Sequence, residues 1–238
     1  MQGGGFVDPG VHEGQAAVVL GAAGEVGAAV VERLRAEGLK VAGLDVETGA
    51  GDLRLHVDPT DREALAAAVA SVKRELGPIS VLVTAPTRYD QAAAGEMSWP
   101  RWQELLQAHL GATTNAVAAV VPDMVTAGHG TVVIMSSWKA LAGIAGEAYY
   151  AAAVGTLLSF TKGFSMEVAP AGVRVNCIAV GPTASESERD ASRDEAPACL
   201  PLGRCASLAE VSDTVAFLIN DGDFYVGQVF EPSAGAVV

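Results

Sequence analysis

The stretch Ala16-Ala17-Val18-Val19-Leu20-Gly21-Ala22-Ala23-Gly24-Glu25-Val26-Gly27 decides the fold. Five apolar residues closed by a glycine read as a buried strand, and the G-x-x-G-x-x-G turn opens a helical pattern that runs to Glu37. A strand running into a glycine turn and a helix is the first half of a βαβ unit. It presents bare backbone and the positive end of a helix where a pyrophosphate can rest. On its own the turn is weak evidence, and the alternative reading is a tight strand-to-helix connection.

Working outward, short β-rich apolar runs alternate with helical patterns. Strands are predicted at Ala16 to Leu20, Lys40 to Asp45, Leu53 to Val57, Ile79 to Thr84, Thr131 to Ser136, Val173 to Ala179 and Val226 to Phe230. Helices are predicted at Glu25 to Glu37, Asp61 to Leu76, Trp99 to Thr126, Glu147 to Ala169 and Leu208 to Asn220. The alternation predicts an α/β fold: a doubly wound, Rossmann-type parallel sheet of about seven strands with helices on both faces and a ligand crevice beyond the strand C-termini. Residues 1–14 are Gly-rich, with neither a basic start nor an apolar run, and read as a flexible tail before a single domain over 15–238. The acidic stretch Ser185 to Pro197 reads as a lid near the crevice or as a solvated connection.

Half of the 238 residues are apolar but only 5% are aromatic, so the core must be built from Ala, Val, Leu and Gly, which suits close helix-on-sheet packing. A formal net charge of -13 argues against nucleic acid and anionic membrane surfaces as partners. The apolar runs stop well short of the ~20 residues that a membrane-spanning helix needs. Cys177, Cys199 and Cys205 form no C-x-x-C pair and have no nearby histidine. Neither a disulfide framework nor a metal site is therefore expected, and a reducing cytoplasm is the expected location.

Asp45 ends the second strand, 24 residues after Gly21, where a carboxylate accepts both hydroxyls of an adenosine ribose and repels a 2'-phosphate. It points to NAD over NADP. Asp58, after the third strand, reads either as a contact to the adenine edge or, with Pro59-Thr60-Asp61 following, as part of a helix-capping turn. Ser136-Ser137 closes the fifth strand and Tyr150 lies 13 residues beyond Ser137, so a hydroxyl and a phenol can converge on one carbonyl. Each residue alone reads equally as a satisfied polar group at the end of an element.

Taken in chain order, these segments resemble the short-chain dehydrogenase/reductase family from about Gln15 to the C-terminus. Trp102 to Met124, with Pro122 and Met124, is similar to the family's fourth helix, Gly130 to Ser137 to its serine strand, and Tyr150 to Val168 to its tyrosine helix. Gly172-Val173-Arg174-Val175-Asn176 with Gly181-Pro182 resembles the strand and loop that follow, and Pro201-Leu202-Gly203-Arg204 and Val226-Gly227-Gln228-Val229 its C-terminal signatures. The resemblance implies NAD held by Gly21, Gly24, Val26, Gly27, Asp45 and Asp58, with Ala85 and Pro182 further round. It also implies an Asn-Ser-Tyr-Lys tetrad that moves a proton while nicotinamide exchanges hydride with a carbonyl or alcohol.

Ser137 and Tyr150 match that tetrad, but the Asn position is His109 and the Lys position is Val154. Residues four apart share a helix face, so a lysine at 154 would favour the Tyr150 phenolate. Valine cannot, and an unperturbed tyrosine titrates near ~10. The expected penalty is roughly two to three decades in rate. Lys139 and Lys162 are expected to stand off the tyrosine's face. His109 is expected to be either a proton relay or a passive replacement. Glu25 replaces the middle glycine of the family's turn, and Thr84-Ala85-Pro86-Thr87 stands where the family has N-N-A-G.

These departures favour a non-catalytic or weakly active subunit acting on a small molecule with NAD in a homo- or hetero-tetramer, beside a competent partner of the same family. The hydroxybenzylsuccinyl-CoA type of anaerobic aromatic breakdown, a hydroxyacyl-CoA case, is one heteromeric example. The first alternative is an active dehydrogenase using Tyr150 and Ser137 with a His109-modified relay. The second is a cofactor-free relative resembling halohydrin dehalogenases.

Overall fold

A computed structural model describes residues 14–86, 88–93, 95–184 and 200–237. The expected tail over 1–14, apart from Gly14, and the Ser185 to Pro197 stretch lie outside the described residues, as do Thr87 and Cys199. Seven parallel strands form one sheet in the order β3-β2-β1-β4-β5-β6-β9. They are β1 (Ala16–Leu20), β2 (Lys40–Asp45), β3 (Leu53–His56), β4 (Ile79–Thr84), β5 (Gly130–Ser137), β6 (Val173–Val180) and β9 (Val229–Phe230). The helices are α1 (Glu25–Ala36), α2 (Arg62–Leu76), α3 (Trp99–Leu106), α4 (Ala112–Ala127), α5 (Ala148–Val168) and α6 (Leu208–Asn220). The doubly wound Rossmann-type sheet is as the alternation predicts.

Side chains on a strand point alternately to its two faces, and the core divides accordingly. Val18, Leu20, Leu82, Val132 and Ile134 pack with Leu65, Val69, Val120 and Leu157 of α2, α4 and α5. Val19, Val81, Val83 and Val133 pack with Val30, Leu34, Val215 and Leu218 of α1 and α6. The strands read as continuous apolar runs because both faces are covered.

Three details depart from the predicted elements. The helix expected over Trp99 to Thr126 is interrupted by a π turn at Gln107–Gly111, which carries His109. The last strand is only Val229–Phe230, because Gly227 takes a left-handed φ of 67° and turns the chain just before it. A separate two-stranded ladder, β7 (Thr183–Ala184) with β8 (Ala206–Ser207), brackets the undescribed acidic stretch.

Polar pins hold the elements that frame the crevice. Arg174 donates to the carbonyls of Leu218 and Ile219 in the last turn of α6 at 2.8 and 3.3 Å, to that of Gly222 just beyond it at 2.7 Å and to Thr131 Oγ1, satisfying open carbonyls at the helix end. Asn115 of α4 donates to the carbonyls of Pro59 and Thr60, fixing the turn that carries Asp58. The Ser136 hydroxyl donates to the carbonyl of Val154 at 2.9 Å, tying β5 to the tyrosine helix.

Candidate active site

At the C-terminal ends of β1, β2, β4 and β5 lies a crevice of two lobes that share Pro86. The first, of about 390 Å³, is lined by Gly21, Asp45, Asp58 and Thr60 among others. The second, of about 470 Å³, is lined by Gly24, Glu25, Val26, Ala85, His109, Ser137, Lys139, Tyr150, Val154 and Pro182 among others. Apart from Gly27, which supports the turn from within, every candidate catalytic or cofactor-binding residue read from the sequence lines one of the two lobes.

The glycine turn is fixed by close approach. Gly21 has a φ of 82°, and a Cβ there would lie 2.0 Å from the Ala85 carbonyl oxygen; a Cβ on Gly27 would lie 2.0 Å from the Gly21 carbonyl oxygen. Only glycine fits at either position. Helix α1 starts from Gly24 with no side-chain cap, whereas α2 and α6 are capped by Asp61 and by the Ser207–Glu210 capping box. The first-turn amides of α1 therefore keep donors free at the rim of the second lobe. That arrangement, with Asp45 at the far end, fits the phosphates and ribose of a dinucleotide. Exposed Glu25 adds negative charge at the same rim.

Asp45 Oδ2 accepts from the Ala23 amide at 2.9 Å, which aims the carboxylate along the first lobe. Asp58 Oδ1 accepts from the amide and hydroxyl of Thr60 at 2.8 and 2.7 Å, while Asp61 caps α2. Asp58 therefore shapes a turn and also lines the lobe. Asn176, in the family-like segment, is structural: it bridges the Tyr225 carbonyl and the Gln228 amide.

In the second lobe, Tyr150 and Ser137 line the same wall, and the Ser137 hydroxyl accepts from the Lys139 amide at 3.3 Å. Burial pushes the Tyr150 hydroxyl above its ordinary pKa. The nearby Ser137 hydroxyl and the Lys139 charge pull it back only in part, and Glu147 and Tyr89 push it further up. Val154, one helical turn on, is 1% exposed and supplies no charge. His109 is also 1% exposed; its Nε2 donates to the Arg88 carbonyl at 2.7 Å, and its Nδ1 has no partner among the described residues. Burial lowers the His109 pKa, and the nearby Arg88 charge lowers it further against the opposing pull of the carbonyl hydrogen bond. A neutral ring bonded through Nε2–H, edge-on to Tyr150 at 5.7 Å between centroids, is a wall of the pocket with one open acceptor.

One expectation needs correcting. Lys139 does not stand off the tyrosine: its Nζ lies 5.8 Å from the centre of the Tyr150 ring and 4.6 Å from that of Tyr89. A 3-10 turn over Trp138–Ala140 folds the chain back directly after Ser137, and Glu147 holds the ammonium at 2.8–2.9 Å. Sequence reasoning also passed over Tyr89 and Glu147. The spacing of Glu147 three residues before Tyr150 was a usable signal, whereas nothing local marks Tyr89. Cys177 is no alternative nucleophile, because burial pushes its thiol up to about 12. No metal-ligating cluster occurs among the described residues.

With this geometry in hand, similarity to known proteins is informative. A family profile described as Enoyl-(Acyl carrier protein) reductase matches residues 21–236. The chain is 28% identical to the 3-oxoacyl-[acyl-carrier-protein] reductase FabG of Escherichia coli, covering 94% of this chain and 97% of the relative. It is 32% identical to the short-chain reductase protein NovJ of Streptomyces niveus, covering 91% of each. Among solved structures, the ligand-free aldohexose dehydrogenase of Thermoplasma acidophilum superposes with a TM-score of 0.83 at 23% identity, over 94% of this chain and 95% of that one, a likeness of fold. The chain belongs to the short-chain dehydrogenase/reductase family of oxidoreductases.

Proposed function

We propose that the chain is a weakly active, NAD(H)-dependent carbonyl/alcohol oxidoreductase that works as a subunit of an oligomer. The observation that carries this reading is the convergence of Ser137 and Tyr150 on one lobe of a crevice whose other lobe holds Asp45. NAD(H), when bound, supplies or takes up the hydride. Asp45 receives the adenosine ribose hydroxyls, and the free amides at the start of α1 receive the phosphates. Ser137 orients the carbonyl of the substrate, and Tyr150 gives it a proton or takes one from the alcohol. A tyrosine held above its ordinary pKa is fully protonated at neutral pH, so it suits reduction better than oxidation. The names of the FabG relatives favour a 3-oxoacyl type of carbonyl.

A second reading, a non-catalytic partner of a competent subunit, is favoured by Val154 and by apolar surface open to a neighbour. Met166 on α5 is 73% exposed and Phe224 is 97% exposed. Calorimetric titration of the isolated chain with NADH and NAD, followed by turnover of ethyl acetoacetate with NADH, separates the two. We expect NADH binding with slow turnover, and a loss of roughly 10²–10⁴-fold in kcat in Tyr150→Phe with NADH affinity retained. Absence of NADH binding supports the second reading, and undiminished turnover in Tyr150→Phe removes the tyrosine from the mechanism.

A further inference from the structure

Glu147 stands at the N-cap of α5, and its carbonyl accepts from the Ala151 amide at 2.8 Å, yet its side chain makes no capping hydrogen bond. A carboxylate there ordinarily accepts from first-turn amides. Here it is turned away and buried, at 6% exposure. Its Oε1 accepts from the Tyr89 hydroxyl and from Lys139 Nζ, both at 2.9 Å. Its Oε2 lies 2.8 Å from the same ammonium and has no hydrogen bond among the described residues. The carboxylate outweighs the burial that works against the Lys139 charge, so the ammonium is held firmly protonated.

The pair closes on two aromatic rings. Tyr89 packs edge-on against Tyr150 at 4.9 Å between centroids, and the Lys139 ammonium lies within 6 Å of both ring centres. Desolvation of the buried Glu147 carboxylate offsets part of the Coulomb gain of the pair, so stability alone is a poor account of two charges packed against these rings. Their position beside Tyr150 offers a better one.

The geometry points to Lys139 as a positioning residue that sets the acidity of Tyr150, with Glu147 as its counterweight. This rests on the reading of Tyr150 as the proton carrier. The cation arrives from the turn after β5 and not from the helical position occupied by Val154. An ammonium beside the ring favours the phenolate, and the adjacent carboxylate cancels much of that field. Among the described residues, the remaining groups facing the phenol are the hydroxyls of Ser137 and Tyr89 and the neutral ring of His109; the Arg88 guanidinium is engaged by Glu104 at 2.9 Å. Lys139 and Glu147 are thus the pair whose charge balance tunes the proton transfer.

The test compares wild type with Lys139→Met, Lys139→Arg and the near-isosteric Glu147→Gln in two measurements. The first is oxidation of ethyl 3-hydroxybutyrate by NAD across pH. The second is titration of tyrosinate absorbance, with Tyr150→Phe as the subtraction. At neutral pH, oxidation is expected to fall roughly tenfold in Lys139→Met, rise roughly tenfold in Glu147→Gln and stay near wild type in Lys139→Arg, with KM for NAD unchanged. The pH at which the rate levels off moves up in the first variant and down in the second. Unmoved pH profiles in both overturn the assignment. If the chain proves to have no turnover, the proposed activity fails, and the absorbance titration still decides the role of Lys139. A Tyr150 step at lower pH in Glu147→Gln than in wild type supports it, and an unshifted step overturns it.

Discussion

The lobe around Asp45 and the lobe around Tyr150 grow from the same row of strand ends, but they are held by different physics. The first is fixed by backbone: Gly21 and Gly27 leave no room for a single added atom, and the Asp45 carboxylate is aimed by the Ala23 amide. The second is fixed by side chains, with a tyrosine flanked by a serine, a half-buried ion pair and a neutral histidine. Backbone constraints cannot drift without breaking the fold, whereas a side-chain arrangement can be rewritten one residue at a time. The unusual residues His109, Val154 and Lys139 all fall in the second lobe, as that contrast implies.

The contrast is broken most severely by Gly21→Ala. A left-handed backbone combined with overlap against the Ala85 carbonyl is expected to cost roughly 2–5 kcal/mol of stability and to abolish NADH binding. Thermal melting and calorimetry read both, and an unaltered melting temperature would show that the turn is looser than its geometry implies. Next in size is Asp45→Asn, which keeps an acceptor for the Ala23 amide but removes the charge facing a 2'-phosphate. The preference for NADH over NADPH is expected to fall about tenfold or more, measured as a ratio of dissociation constants. An unchanged ratio would mean that another group reads the ribose.

Smaller effects sharpen the description of the second lobe. Restoring a lysine through Val154→Lys is expected to bring little gain in turnover, because a cation at a position only 1% exposed is driven toward its neutral form. Paired with His109→Asn the gain is expected to grow, and a large gain from the single change would contradict this account. Smallest is a pH effect on stability. Burial holds the His109 pKa below its ordinary value, so the unfolded chain binds that proton more readily than the folded one. The His109 contribution is therefore complete above about pH 6.5 and declines as the pH drops below it. Denaturant melts from pH 7 downward should show a shallower acid-side loss in His109→Gln than in wild type.

Much of this organisation was legible in the sequence. The strand-turn-helix around Gly21, the alternation of apolar runs and the positions of Asp45, Ser137 and Tyr150 follow from local periodicity and from where strands end. What stayed hidden depends on long-range packing. Lys139 looked remote because two residues past a strand end says nothing of where a 3-10 turn sends a side chain. Tyr89 lies 58 residues from Glu147, and only the assembled sheet brings their side chains together. The π turn at His109 and the left-handed Gly227 are backbone irregularities inside otherwise regular patterns, so hydrophobic spacing passed smoothly over them.

The Ser136 hydroxyl grips the main-chain oxygen of Val154, so the peptide there is clamped from outside its own helix. The clamp does not depend on which side chain the residue carries. Position 154 therefore behaves as a socket in which the contents can be exchanged while the mounting stays put, and the spacing between phenol and serine survives the swap. A scaffold with such a socket can change the occupant of that position without refolding its floor, and leaves activity to be decided by the residues around it.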